Sequence, residues 1–211
     1  AFVATTQQGG LYFWGDDGDV KFADISQEVK TDVVKVFQSN SAFAALKSDG
    51  SVITWGQSSS GGDSSLVADQ ISAGVVDIFS DPSWGRAFAA LKEDGSVVSW
   101  GEATYGGDAS VVVDDLLSGV VDIASSSIGF SALKDDGSVI YWGLDPEDVM
   151  FFGGVNHDQL KTGVKGLTSS PNGFIAEKVN GDIIAWGMDF VEGSDYGFLS
   201  DFQVIYSNRS G

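Results

Sequence analysis

The chain has 211 residues, with 30 Asp and Glu against 11 Lys and Arg, a net charge of −19, one His and no Cys. That balance repels rather than binds a phosphate backbone, and the lack of Cys excludes disulfides, thiolate nucleophiles and Cys-ligated zinc. A hydrophobic share of 43% with six Trp excludes disorder, and no apolar run reaches the roughly 20 residues that a membrane helix needs.

In chain order, the first stretch, AFVATTQQGGLYFWG (Ala1 to Gly15), is the loosest copy of a pattern that returns four times. The later copies are AFAALKSDGSVITWG (Ala42 to Gly56), AFAALKEDGSVVSWG (Ala87 to Gly101), GFSALKDDGSVIYWG (Gly129 to Gly143) and GFIAEKVNGDIIAWG (Gly173 to Gly187). Their starts lie 41, 45, 42 and 44 residues apart and divide the chain into repeats 1–41, 42–86, 87–128, 129–172 and 173–211. Such periods mark arrays in which each unit buries its apolar face against the next.

Each copy reads as β structure. The runs Ala42–Lys47 and Ser51–Trp55 are joined by Ser48-Asp49-Gly50, and Asp-Gly between such runs predicts a hairpin with a type I′ turn, positive in φ at both central positions. Lys92-Glu93-Asp94-Gly95, Asp135-Asp136-Gly137 and Asn180-Gly181 repeat that chemistry. A third apolar run occurs once per repeat, at Val33–Phe37, Val75–Phe79, Val120–Ala124, Val164–Leu167 and Phe202–Tyr206. Between Trp-Gly and that run lies a polar stretch such as Gly61–Ser65, then Leu66–Ile71, which fits a short helix or a fourth strand. Three or four strands in about 42 residues make a propeller blade.

The expectation is therefore an all-β, single-domain β-propeller of five blades. The hairpin Ala1–Trp14 has no run before it and Phe202–Tyr206 has no hairpin after it. The two are expected to pair and close the ring, removing the open edges that invite aggregation; the alternative is a five-repeat section of a longer array. The chain opens on Ala1 rather than Met and shows no signal-peptide pattern, which reads as a processed or excised product and favours an extracytoplasmic setting.

The order apolar pair, Ala-Leu-Lys, acidic residue, Asp-Gly-Ser, apolar pair, Trp-Gly resembles the regulator of chromosome condensation repeat family. It is closest to the shorter-repeat bacterial and algal branch, which also contains a β-lactamase inhibitor protein. The resemblance covers essentially all 211 residues and is tight in three of the five copies. It implies a β-propeller, although the founding members build more blades from longer repeats. It implies no single activity, since members serve as exchange factors, inhibitors, receptors and adhesins. The founder's nucleotide exchange is not carried over, because it goes with a DNA-binding face that a charge of −19 opposes. Five-bladed rings also include the sugar-binding tachylectin type, whose residues are not matched here.

Trp14, Trp55, Trp100, Trp142 and Trp186 recur once per repeat. A ring of such residues can stack sugars, but five equivalent copies, each followed by Gly, favour blade-to-blade packing. Trp84 lies out of register in Ser80-Asp81-Pro82-Ser83-Trp84-Gly85-Arg86, and an exposed Trp beside Arg has the composition of a contact hot spot; the alternative is a Trp folded back onto the next blade. The equivalent loops, Gln38–Ser41, Ser80–Arg86, Ser125–Ile128, Ser169–Asn172 and Ser207–Gly211, are expected on one face of the ring. They include both arginines, Arg86 and Arg209, together with Asn40, Ser127 and Asn172.

Other candidates carry less. Asp16-Asp17-Gly18-Asp19 and Asp135-Asp136 lack the full Ca²⁺-loop pattern, and His157 has no catalytic companion. Neither a nucleophile elbow nor a phosphate-binding loop occurs, and the sequon Asn208-Arg209-Ser210 falls in the expected closing loop. No cofactor, metal or enzyme activity is expected. The expected function is a non-enzymatic, monomeric ring that binds a protein through its loop face, as a scaffold or peripheral subunit. A carbohydrate-binding or adhesive extracellular module is the second reading.

Overall fold

The structure is a computed structural model that describes residues 2–7, 9–14, 31–81, 83–144 and 157–187. Strand β1 (Phe2–Thr5) pairs antiparallel with β2 (Leu11–Trp14). The four sheets that follow share one plan. They are β3 (Val33–Gln38), β4 (Ala42–Lys47) and β5 (Val52–Gly56); β6 (Val75–Phe79), β7 (Ala87–Lys92) and β8 (Val97–Gly101); β9 (Val120–Ser126), β10 (Gly129–Lys134) and β11 (Val139–Gly143); and β12 (Val164–Ser170), β13 (Gly173–Lys178) and β14 (Ile183–Gly187). Each is an antiparallel meander of a leading strand and a hairpin, so every blade joins the end of one sequence repeat to the start of the next. Leading strands converge, with β6 against β9 and β9 against β12. The fold is an all-β propeller. The expected closing strand, Phe202–Tyr206, lies outside the described residues, and β1 is paired on one edge among those that are described.

The middle strand of each sheet explains the Ala-rich signature. A strand covered on both faces reads as a continuous apolar run rather than an alternating one. Ala42 to Leu46 are all buried, as are Ala87 to Ala90. Small side chains there let neighbouring sheets approach. The stretch after Trp-Gly holds 3-10 turns, Ser58–Ser60 and Ser65–Val67 in one repeat and Ala103–Tyr105 and Ser110–Leu116 in the next, not a fourth strand. A four-residue helix, α1 (His157–Leu160), precedes β12.

The hairpin turns differ from the expected type I′. Gly50, Gly95, Gly137 and Gly181 have φ of 77°, 76°, 78° and 92°, while the residue before each stays at negative φ. Lys47 N–H donates to the Ser51 carbonyl at 2.9 Å and Gly50 N–H to the Lys47 carbonyl at 3.0 Å. This is a three-residue loop, a type I turn followed by a left-handed Gly. The reason is an Asx clasp. Asp49 Oδ1 accepts Ser51 N–H at 3.0 Å and Ser51 Oγ–H at 2.6 Å, and Asp94 with Ser96 and Asp136 with Ser138 repeat it. The Ser hydroxyl first and the Ser N–H second hold all three carboxyls below the usual carboxylate range.

The turns also hand the chain from blade to blade. The carbonyls of Gly9, Gly50, Gly95 and Gly137 accept the N–H of Val33, Val75, Val120 and Val164, the first residues of the next leading strands. A Cβ at Gly50 would lie 2.7 Å from Gly74 N, which is why the position needs Gly. Each leading strand then carries a bulge one residue in, leaving Val34, Val76, Val121 and Lys165 without a ladder partner. These four side chains point out of the pleat and are exposed. Lys92, Lys134 and Lys178, the Lys of the repeat signature, donate Nζ–H to the carbonyls of Gln70, Asp115 and Gln159 at 2.8, 2.7 and 2.7 Å.

Candidate functional site

Four of the five recurrent Trp are interior. Trp55, Trp100, Trp142 and Trp186 are buried and stack on the cross-strand partners Phe43, Phe88, Phe130 and Phe174 at centroid distances of 5.5, 5.3, 5.4 and 5.5 Å. Trp100 Nε1–H donates to the Gly61 carbonyl and Trp142 Nε1–H to the Gly106 carbonyl, both at 3.0 Å, so each indole ties its sheet to the connection of the preceding repeat. Gly61 and Gly106 are needed there, because a Cβ would lie 2.6 Å from the Phe88 and Phe130 rings. These four rings offer no open face to a sugar. Trp14 stands opposite Phe2 in the β1–β2 ladder.

In the four described meanders the loops between leading strand and hairpin lie at one end of the sheets and the Asp-Gly or Asn-Gly turns at the other. Among the described residues the loop end draws the candidate site residues into two pairs. Asn40 N–H donates to the Gly85 carbonyl at 2.9 Å, placing Asn40 beside the Trp84 loop, and Ser80 Oγ–H donates to the Gln38 carbonyl at 2.6 Å. Ser127 N–H donates to the Pro171 carbonyl at 2.9 Å, and Ser127 Oγ lies 2.8 Å from Asn172 Oδ1. Arg209 lies outside the described residues.

Trp84 is 68% exposed, so its ring does not fold back onto the neighbouring blade. Its loop is nonetheless fixed. Asp81 is buried, and its Oδ1 accepts N–H from Ser83 at 2.9 Å, Trp84 at 2.8 Å and Gly85 at 3.3 Å. Gly85 allows this wrap, since a Cβ would lie 2.5 Å from the Asp81 carbonyl oxygen. Arg86 is exposed and places its guanidinium 5.0 Å from the centre of the Tyr105 ring. Asp81 and Tyr105 were not singled out in the sequence. Asp two and three positions ahead of Ser83 and Trp84 is a readable capping signal, whereas the Tyr105 contact crosses repeats and leaves no local mark.

Charge separates the two ends. The described loop residues at 39–41, 80–86, 127–128 and 171–172 carry one carboxylate, Asp81, and it is buried. The opposite turns carry Asp49, Glu93, Asp94, Asp135 and Asp136, all exposed, while Lys92, Lys134 and Lys178 are engaged with carbonyls. Solvent therefore meets a hydroxyl- and amide-rich loop end and an anionic turn end. Among the described residues no group of three or more His, Cys, Asp or Glu is placed to hold a metal ion, and no helix is long and apolar enough to cross a membrane.

No family model matches the chain, and no curated protein matches it. Solved propellers do. The chain is similar to human WBSCR16, at 20% identity over 74% of this chain and 47% of that one, with a TM-score of 0.45. It is similar to Prp20p of Saccharomyces cerevisiae, the yeast RCC1, at 22% identity over 74% of this chain and 45% of that one, with a TM-score of 0.46. Prp20p was described with its binding to Gsp1p and histones. A third is the CRINKLY WD40 ectodomain of the Arabidopsis thaliana receptor kinase ACR4, at 16% identity over 75% and 52% of the two chains, with a TM-score of 0.47. The chain spans about half the length of these structures.

Proposed function

We propose that this chain is a non-enzymatic, protein-binding propeller of the short-repeat kind, and that it engages one partner through the loop end around Trp84. The observation that carries this reading is a large aromatic side chain, 68% exposed, on a loop locked by a buried Asp81. Fixing the loop before contact limits the ordering cost of association. Ser, Asn and Gly around one Trp and one Arg supply rigid anchoring and adaptable hydrogen bonding, as in paratopes. Asn40, Arg86, Ser127, Asn172 and Arg209 complete the surface in this reading. Few exposed carboxylates at that end let the chain approach an acidic or neutral partner without the repulsion that −19 imposes elsewhere.

A rigid platform follows if the ring is closed, with Phe202–Tyr206 pairing along the edge of β1 away from β2. In support, an open groove lies between β1 and β3, lined by Phe2, Val3 and Thr5 on one side and Val34, Val36 and Gln38 on the other. In the later sheets a leading strand fills the corresponding place beside its own hairpin and the next sheet.

The test is purification from the source of the native chain and of Trp84→Ala side by side, with a photo-crosslinker at Ser83. A stoichiometric protein crosslinked at that position, and weakened by about tenfold or more in Trp84→Ala, is expected of a hot spot. The melting temperature should stay within the equivalent of about 1 kcal/mol of wild type, as for surface changes. A melting temperature that collapses would make Trp84 structural, and retention on immobilised glycans alone would favour the adhesive reading.

A further inference from the structure

The chain contains two Asn-Gly pairs, Asn172-Gly173 and Asn180-Gly181. By dipeptide alone both are open to spontaneous loss of the side-chain amide. The fold treats them differently. Asn172 is half-buried between blades, with Oδ1 held 2.8 Å from Ser127 Oγ, and Gly173 is buried in the β12–β13 ladder opposite Ser170. Asn180 sits at the tip of the β13–β14 turn and is exposed. Its Oδ1 accepts the Asp182 N–H at 3.1 Å and its Nδ2–H donates to Asp182 Oδ2 at 2.6 Å. That clasp holds the side-chain amide forward, across Gly181 toward Asp182. A Cβ at Gly181 would meet nothing within 4 Å, so the turn is open on that side, while the Gly181 N–H donates to the Lys178 carbonyl at 3.0 Å.

The β13–β14 turn is also chemically unlike the turns at Asp49, Asp94 and Asp136. At Asp49, Asp94 and Asp136 a carboxylate accepts from a Ser hydroxyl two residues on, at 2.6 Å each. At Asn180 the roles are exchanged, with an amide donating to the carboxylate of Asp182. An ionised carboxylate is a poor electrophile, whereas a neutral amide is attacked readily.

We infer that Asn180, and not Asn172, is a self-modifying site whose conversion to a carboxylate sets two like charges against each other in the β13–β14 turn. When the turn opens and the Gly181 N–H leaves the Lys178 carbonyl, the Gly181 nitrogen loses its proton to hydroxide and attacks Asn180 Cγ. The Cγ–Nδ2 bond breaks and ammonia leaves, giving a cyclic imide. Water then opens either imide carbonyl to yield aspartate or isoaspartate, so one water enters, one ammonia departs and nothing is oxidised. The product loses the 2.6 Å donor contact to Asp182 and replaces it with repulsion. Carboxylates at 180 and 182 resist joint ionisation, so the converted turn weakens at neutral pH and recovers as acid protonates one of the pair.

The experiment is incubation of the folded chain at mildly alkaline pH, followed by peptide mapping that separates aspartate from isoaspartate, with the urea-unfolded chain in parallel. Conversion at Asn180 while Asn172 stays an amide, and conversion of both in urea, is the expected result. Equal conversion at both sites in the folded chain, conversion at Asn172 alone, or conversion at neither while the unfolded chain converts at both, overturns the inference. Ser127→Ala removes the hydroxyl that clamps Asn172 and is expected to speed conversion there without changing Asn180; an unchanged Asn172 counts against the clamp. Asn180→Asp should melt below wild type at pH 7, with the gap closing in acid, and a gap independent of pH would show that charge is not its cause.

Discussion

The hairpin β1–β2 and the sheet β6–β7–β8 carry the same signature and differ in what surrounds it. Phe2 faces Trp14 in register as Phe88 faces Trp100. Yet Phe2 is 64% exposed and Phe88 is 0% exposed. Phe88 lies under Gly61 of the preceding connection, and Trp100 bonds to the Gly61 carbonyl. Among the described residues β1 has neither a preceding connection over it nor a leading strand beside it. Burial at this position is thus a property of the interface between units rather than of the motif, as expected of a solenoid-like array whose repeats cannot bury their apolar faces alone.

The largest predicted contrast follows directly. Phe88→Ala should cost about 3–5 kcal/mol, the range for emptying a buried aromatic site, and Phe2→Ala less than about 1 kcal/mol, as for exposed positions. Chemical denaturation of both variants measures it, and similar costs would mean that Phe2 is covered in solution. Next comes the glycine over the ring. Gly61→Ala must both hold a φ of 91° and push a methyl against the Phe88 ring, so a loss of about 1–3 kcal/mol is expected from strain and overpacking. Gly181→Ala has the strain without the clash and should cost about 1 kcal/mol. If the two cost the same, the ring contact contributes nothing.

Hydrogen exchange sharpens the comparison at the edge of β1. A closed ring protects alternate β1 amides on the side away from β2, together with alternate amides of Phe202–Tyr206, as strongly as those of β6. Fast exchange along that edge would leave β1 open and remove the rigid platform proposed for the loop face.

Much of the fold was legible because period and pattern are local. The apolar runs Ala42–Lys47 and Ser51–Trp55, punctuated by Asp-Gly, are strands at Ala42–Lys47 and Val52–Gly56, and Val75–Phe79 leads its hairpin as its apolar run suggested. The turn type was misread because Asp49 bonds forward to Ser51, and that clasp favours negative φ at Asp where type I′ needs positive φ. The stretch at Leu66–Ile71 was ambiguous for a different reason. Its lone buried residue, Ile71, is fixed by the neighbouring core rather than by any periodicity of its own. At the loop end Trp84 stood out by being out of register. The rigidity of its loop had a local signal in Asp81, two and three positions ahead of the Ser83 and Trp84 N–H groups that it accepts, but the extent of that clasp, which takes in Gly85 as well, shows only in the structure.

The smallest predicted effect concerns acid, and it again separates the two regions. The first turn closes on the Thr6 hydroxyl, which accepts Gly10 N–H at 2.9 Å and does not titrate. The turn of the third sheet closes on Asp94. A carboxyl whose pKa is lowered in the folded state adds stability that is present above its unfolded value and is lost as pH falls through the folded one. Asp49, Asp94 and Asp136 therefore favour the fold at neutral pH and cease to do so in acid. Asp122, an exposed residue, works the other way, since partial desolvation of its carboxyl, and then the nearby Asp77 charge, push its pKa up; its ionisation weakens the fold as pH rises through that raised value. Ser96→Ala removes the hydroxyl that contributes most to lowering Asp94. The Asp94 carboxyl should then titrate at higher pH by carboxyl NMR, and acid unfolding should begin earlier, while the resonances of the β1–β2 turn stay unmoved. An Asp94 titration unchanged in that variant would assign the depression to the backbone N–H instead, and the turn of the third sheet would then differ from the first only in charge, not in the way it is held.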